Sequence, residues 1–225
     1  MLKYQVKHLI ANRLKNFNAI HHLFFIPTIL LLGSFIISGG GKELKIGKKA
    51  PMTSEKLVNI DGETLTFDGL KKENGLIVIF SCNTCPFVVG NDDFEGWERQ
   101  YNDLYEKAAE KNIGLVLVNS NEAKRDGDDS LEAMQQRAEK MGYKMPYLVD
   151  VDSKVADAYG AKTTPHVYVL NAKNVLIYKG SIDNIWDSKR TETVPYLYDV
   201  MEHLTNNTEL KNDDTPPRGC SIKRK

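Results

Sequence analysis

The chain has 225 residues, with 41% hydrophobic and 27% charged positions, which fits a folded globular protein and excludes wholesale disorder. Lys plus Arg (30) balances Asp plus Glu (30), so the basic excess of a nucleic-acid binder is missing and no nucleic-acid partner is expected. Three cysteines, Cys82, Cys85 and Cys220, are too few for a disulfide scaffold and do not have the spacing of a four-cysteine zinc module.

The first 22 residues carry Lys3, Lys7, Arg13 and Lys15, and no acidic residue precedes Glu43. An uncharged apolar run from Leu23 to Ile37, LFFIPTILLLGSFII, follows, and then Ser38-Gly39-Gly40-Gly41. As a helix this run would span roughly 22 Å. That is short of the roughly 30 Å hydrocarbon core and suits a signal-peptide core. Residues 1–41 are therefore expected to be a cleaved signal peptide or, extended through the glycines, a membrane anchor. Either version places the rest outside the cytoplasm, because the basic flank stays inside. Residues 42–49 read as a lysine-rich linker, 50–205 as the folded domain and 206–225 as a polar tail that is loose until something docks it.

Within the domain, LVNIDGETLTF (57–67) has two alternating runs around Asp61-Gly62, the pattern of a hairpin. GLIVIF (75–80) and IGLVLVN (113–119) are continuous apolar, β-branched runs, as expected of strands buried on both faces. Between them Phe94, Trp97, Tyr101, Leu104, Tyr105 and Ala108 recur at helical spacing, predicting a helix within 92–111. The segment is thus a βαβ unit with Cys82-Asn83-Thr84-Cys85 at the carboxyl end of its first strand. DGDD (126–129) lacks the glycine position and twelve-residue loop of a calcium site. It reads as a solvated loop leading to a helix over 131–141 capped by Asp129. A short strand at 146–150, a helix over 152–159, a hairpin from TTPHVYVL (163–170) and VLIYKG (175–180), and a last helix over 194–204 complete the order. Trp186 is a candidate for the edge of the site.

The cysteine pair is where chemistry is expected. At a strand-to-helix junction the helix dipole and free N–H groups favour thiolate and lower the pKa of the thiol. The spacing puts both sulfurs on one face of a first turn, within disulfide range. Pro86 suits that turn. One thiolate attacks a substrate disulfide and the other releases the mixed intermediate. Cys82, nearer the loop, is the expected nucleophile and Cys85 the resolving thiol.

Taken together, LIVIF-SCNTCPF, the long helix, LVLVNS, AYGAKTTPHVYVL and VLIYKG resemble the thioredoxin superfamily. More narrowly they resemble its redoxin branch, grouped with alkyl hydroperoxide reductase/thiol-specific antioxidant proteins, and the closing GCSIK is similar to the ending of a peroxiredoxin-like subgroup. The resemblance implies an α/β, thioredoxin-like fold with a central mixed sheet flanked by helices and an extra N-terminal hairpin. It implies a thiol–disulfide oxidoreductase without cofactor, with a protein thiol or disulfide as redox partner and peroxide as a further candidate substrate. It also implies a cis Thr164-Pro165 bond beside the cysteines, where neighbouring backbone groups hold a substrate chain.

Two departures are plain. The familiar Trp-Cys-Gly-Pro-Cys is Ser81-Cys82-Asn83-Thr84-Cys85 here. The Pro-x-x-x-Thr/Ser-x-x-Cys of peroxiredoxins has no register: Gly75 and Ile79 precede Cys82, and Val78 and Cys82 precede Cys85, at the required spacings. A different class of function is copper binding or delivery by Cys82, Cys85 and His166, since two thiolates and an imidazole suit Cu(I). Cys220, among Arg218, Lys223, Arg224 and Lys225, is a candidate additional redox thiol should the tail fold back over the site.

Overall fold

The computed structural model describes residues 43–185 and 192–225. The expected export or anchor segment and Trp186 lie outside them. Among the described residues, no helix is long and apolar enough to cross a membrane.

The expected hairpin forms from β1 (Leu57–Asn59) and β2 (Thr64–Leu65). A short α1 (Phe67–Leu70) leads to β3 (Gly75–Ser81), every residue of which is buried. After the cysteines come α2 (Pro86–Val89), a 3-10 turn (Trp97–Gln100), α3 (Tyr101–Glu110) and β4 (Ile113–Asn119). Next in order are α4 (Leu131–Met141), β5 (Tyr147–Val149), α5 (Lys154–Tyr159) and β6 (Thr163–Thr164). The chain closes with β7 (His166–Leu170), β8 (Leu176–Gly180), α6 (Tyr196–Asn206) and β9 (Cys220–Ser221).

Seven strands form one mixed sheet in the order β2-β1-β5-β4-β3-β7-β8. The central strand β3 pairs parallel with β4 and antiparallel with β7. Helices and loops cover both faces, which is why β3 and β4 carry apolar residues without alternation. Successive side chains on β3 still go to opposite faces. Ile77 and Ile79 join Trp97, Tyr101, Leu104 and both CxxC cysteines on one side. Leu76, Val78 and Phe80 join Leu148, Tyr159 and Tyr168 on the other.

The helix expected within 92–111 starts later, as a 3-10 turn at Trp97 that runs on into α3. The periodic residues Trp97, Tyr101, Leu104 and Ala108 are fully buried. However, α2 ends at Gly90 and the chain loops out until Gly96, at φ of +92° and +82°. The two glycine backbones lie against each other, and a Cβ on Gly96 would come within 2.3 Å of the Gly90 nitrogen. Helical spacing alone does not reveal such a loop.

Both flanks expected outside the domain pack against it. Leu44 is buried, its N–H bonds the Tyr159 carbonyl, and Glu43 ion-pairs with Lys162 and Lys179. Residues 43–49 are therefore part of the fold. The tail docks through its backbone, the one resource a polar segment always has. Lys179 donates to Asp213 and receives from Thr215, which covers the β8 edge. Further on, β9 pairs antiparallel with β6, and Ile222 is buried in the cluster of Phe80 and Tyr168.

Candidate active site

The buried strand β3 drives Ser81 to the edge of the core, and the chain then turns through 82–85 into α2. Cys85 is the N-cap of α2 with Pro86 at the first helical position. Cys82 lies in the loop, so the two cysteines do not share a first helical turn as spacing suggested. They are nonetheless together. Both meet Thr164. Cys82 Sγ lies 3.0 Å from Thr164 Oγ1, and Cys85 Sγ lies 3.0 Å from the Thr164 carbonyl oxygen, to which the thiol form donates. The Thr164–Pro165 peptide bond is cis. All three cysteines are free thiols.

The two thiols share their ionisation, and burial opposes the charge on both. Cys85 is lowered, first by its nearness to Cys82 and then by Cys220 and the N–H of Phe87, all against a cost of burial. Cys82 is raised, first by Cys85 and then by burial, with the charge of Asp129 adding to the rise and the Thr164 hydroxyl opposing it. Thr164 favours charge on Cys82: its hydroxyl can donate to Cys82 Sγ, whereas its carbonyl faces Cys85 Sγ and can only accept from a thiol.

The loop between the cysteines is held by residues that sequence reasoning assigned to solvent. Asp129 is fully buried. Its Oδ1 accepts the Asn83 N–H at 2.9 Å and Asn119 Nδ2 at 2.7 Å, and its Oδ2 accepts Asn121 Nδ2 at 2.9 Å. Asn83 Nδ2 donates to the Asp128 carbonyl, and Tyr147 Oη donates to Asn83 Oδ1 at 3.0 Å. The helix cap assigned to Asp129 belongs to Ser130, whose hydroxyl accepts the Ala133 N–H. Nothing local in DGDD separates the buried acid from its exposed neighbours.

His166 is not brought to the sulfurs. In β7 it registers with Phe80, so alternation sends it to the face of Tyr168, while Val167 joins the cysteines. Its ring packs 4.7 Å from Tyr168, its Nδ1 accepts the Lys162 N–H at 3.3 Å, and its Nε2 is buried without a partner. Burial holds it neutral, with a pKa lowered to about 3. The copper set of Cys82, Cys85 and His166 is therefore not assembled. Among the described residues no group of three His, Cys, Asp or Glu side chains is placed to hold a metal ion.

Cys220 arrives instead. Pairing of β9 with β6 sets it opposite Thr164, and its N–H donates to Cys85 Sγ at 3.2 Å. The tail closes the site: Cys82 and Cys85 are only 2% and 3% exposed, whereas Cys220 is partly accessible.

The family described as Redoxin matches residues 45–198. Among solved structures, an uncharacterized conserved protein from Geobacillus kaustophilus is 28% identical with a TM-score of 0.72, over 82% of this chain and 94% of that one. A hypothetical protein from Sinorhizobium meliloti 1021 is 26% identical with a TM-score of 0.69, over 82% and 97%. Peroxidoxin BcpB from Mycobacterium tuberculosis, at 14% identity and a TM-score of 0.52 over 74% and 99%, shares the fold. Comparison with curated proteins gives no match.

Proposed function

We propose that this chain, which belongs to the Redoxin family of the thioredoxin superfamily, is a thiol–disulfide oxidoreductase working through Cys82 and Cys85. The observation that carries this reading is two free thiols that both meet Thr164, beside the cis Thr164–Pro165 bond. The Cys82 thiolate attacks one sulfur of a substrate disulfide, and the substrate's other sulfur leaves as a thiolate. Cys85 gives its proton to that leaving group and attacks Cys82 Sγ, closing the Cys82–Cys85 disulfide and freeing the second substrate thiolate. The substrate gains two electrons and the pair loses two. The reverse sequence oxidises a dithiol, and the potential of the partner sets the direction.

A protein disulfide or dithiol suits the site better than peroxide. The proline and hydroxyl of a peroxide pocket have no register before either cysteine. The backbone edge of Thr163–Thr164 beside the sulfurs, where the family resemblance places a substrate chain, is paired with Cys220–Ser221, so an extended substrate chain lies there only in place of β9. The exported or membrane-anchored location rests on the basic flank and the apolar run from Leu23 to Ile37. Cleavage of the domain by protease added to cells whose inner membrane is intact, with a cytoplasmic control protein left uncut, would support it.

The test of the activity is equilibration of the full-length, metal-free protein with glutathione redox buffers, with disulfides mapped by mass spectrometry. A reversible Cys82–Cys85 bond with a potential within about −120 to −270 mV is expected. Failure of the two to pair reversibly would sink the reading.

A further inference from the structure

We propose that Cys220 is a third redox thiol of the site, exchanging with Cys85 and not with Cys82. This deepens the dithiol reading and rests on it.

Four independent placements hold Cys220 at the pair. Cα pairing puts it directly across from Thr164, the residue that touches both CxxC sulfurs. Its N–H reaches Cys85 Sγ at 3.2 Å. On one side Gly219 presses so closely on β6 that a Cβ there would come within 2.2 Å of the Thr164 oxygen. On the other side the tail is pinned by Ile222, whose N–H bonds the Lys162 carbonyl, and by Lys223, whose N–H bonds Asn121 Oδ1 and whose carbonyl accepts the Ala123 N–H. A thiol held this way meets its target at high effective concentration.

The exchange is an isomerisation that needs no external oxidant. It starts from the Cys82–Cys85 disulfide left after a substrate has been reduced. Cys220 gives up its proton and attacks Cys85 Sγ. The Cys85–Cys220 bond forms as the Cys82–Cys85 bond breaks, and Cys82 leaves as a thiolate that takes up the proton. One disulfide exists before and one after. In the reduced site Cys220 is held up to about 11 by burial and by its nearness to Cys85, against Lys223. Oxidation of Cys85 removes that second influence, so Cys220 ionises more readily when there is a disulfide to attack. The outcome is a disulfide moved from two buried sulfurs to one that includes the partly exposed Cys220, where a reductant can reach it.

The test uses full-length Cys82→Ser, Cys85→Ser and Cys220→Ser proteins equilibrated with oxidised glutathione, acid-quenched and mapped by mass spectrometry. In Cys82→Ser we expect loss of free thiol at both Cys85 and Cys220 through a bond between them. In Cys85→Ser we expect no Cys82–Cys220 bond. The proposal is overturned if Cys82→Ser carries glutathione on Cys85 with Cys220 left free, or if Cys85→Ser links Cys82 to Cys220 equally well. Cys220→Ser separates the two levels. A Cys82–Cys85 bond retained there leaves the dithiol reading standing whatever befalls Cys220, and its loss there and in the wild type removes the dithiol reading itself.

Discussion

The carboxylate of Asp129, sealed from solvent, accepts the backbone N–H of Asn83 at 2.9 Å and so anchors the loop between the two reactive cysteines. It does so from 46 residues away in sequence. It also places a negative charge beside Cys82, one of the influences raising that thiol. Asp129 is thus a positioning residue with both a mechanical and an electrostatic effect.

Replacing Asp129→Asn keeps the shape but turns one accepting oxygen into an NH2 that cannot accept. At least one buried donor among Asn83, Asn119 and Asn121 then loses its partner, and the remaining bonds lose charge assistance. The fold should be destabilised by about 2 kcal/mol. Loss of the charge eases ionisation of Cys82, stabilises the reduced pair and moves its potential to less negative values. Urea unfolding and a glutathione titration measure the two effects separately. An unchanged potential with lowered stability would reduce Asp129 to a structural role.

Rates of iodoacetamide modification followed against pH should report how the pair shares its charge. Cys82→Ala removes the neighbour that contributes most to lowering Cys85 and should move the Cys85 midpoint up. A Cys85 midpoint unchanged in Cys82→Ala would show that the two thiols ionise independently.

Ending the chain after Pro217 removes β9 and has two opposed effects on Cys85. It uncovers a sulfur that is only 3% exposed, and it removes Cys220, whose side chain and N–H both lower the thiol pKa. A covered sulfur does not react whatever its charge, so access should dominate and labelling at pH 8 should accelerate by about tenfold or more. Gly219→Val, whose side chain cannot fit against Thr164, should act in the same direction. Labelling no faster than in the full chain would mean that the tail does not gate the site.

His166 sets an acid limit on stability. Its pKa is lowered from 6.5 to about 3 by burial, so below 6.5 the unfolded chain takes up a proton that the folded chain refuses. Stability from this group is complete above about pH 6.5 and falls with acidification until about pH 3. Between pH 7 and pH 5 the loss should be about 2 kcal/mol. The difference in urea midpoint between wild type and His166→Phe should therefore narrow or reverse over that interval. A constant difference would show that His166 is protonated in the fold.

Much of this protein is written in local pattern. Continuous apolar runs marked β3 and β4 because a strand covered on both faces tolerates no polar alternation, and Asp61-Gly62 marked the first hairpin through its turn chemistry. The position of Cys82 and Cys85 at the end of β3 followed from those runs. What the pattern did not contain were decisions made by distant chain. His166 lies next to Pro165 in sequence, yet the register of β7 with β3 turned it to the far face. Asp129 sits in a run of like acids, and only the Asn83, Asn119 and Asn121 donors converging on it account for its burial. The tail has little apolar surface to declare itself, and its place was decided by open strand edges whose unpaired backbone groups it satisfies. Local periodicity sets which residues form strands and helices, because those hydrogen bonds close over a few residues. Which third cysteine meets the pair depends on a contact between residues 135 apart, and it exists only once the sheet has formed.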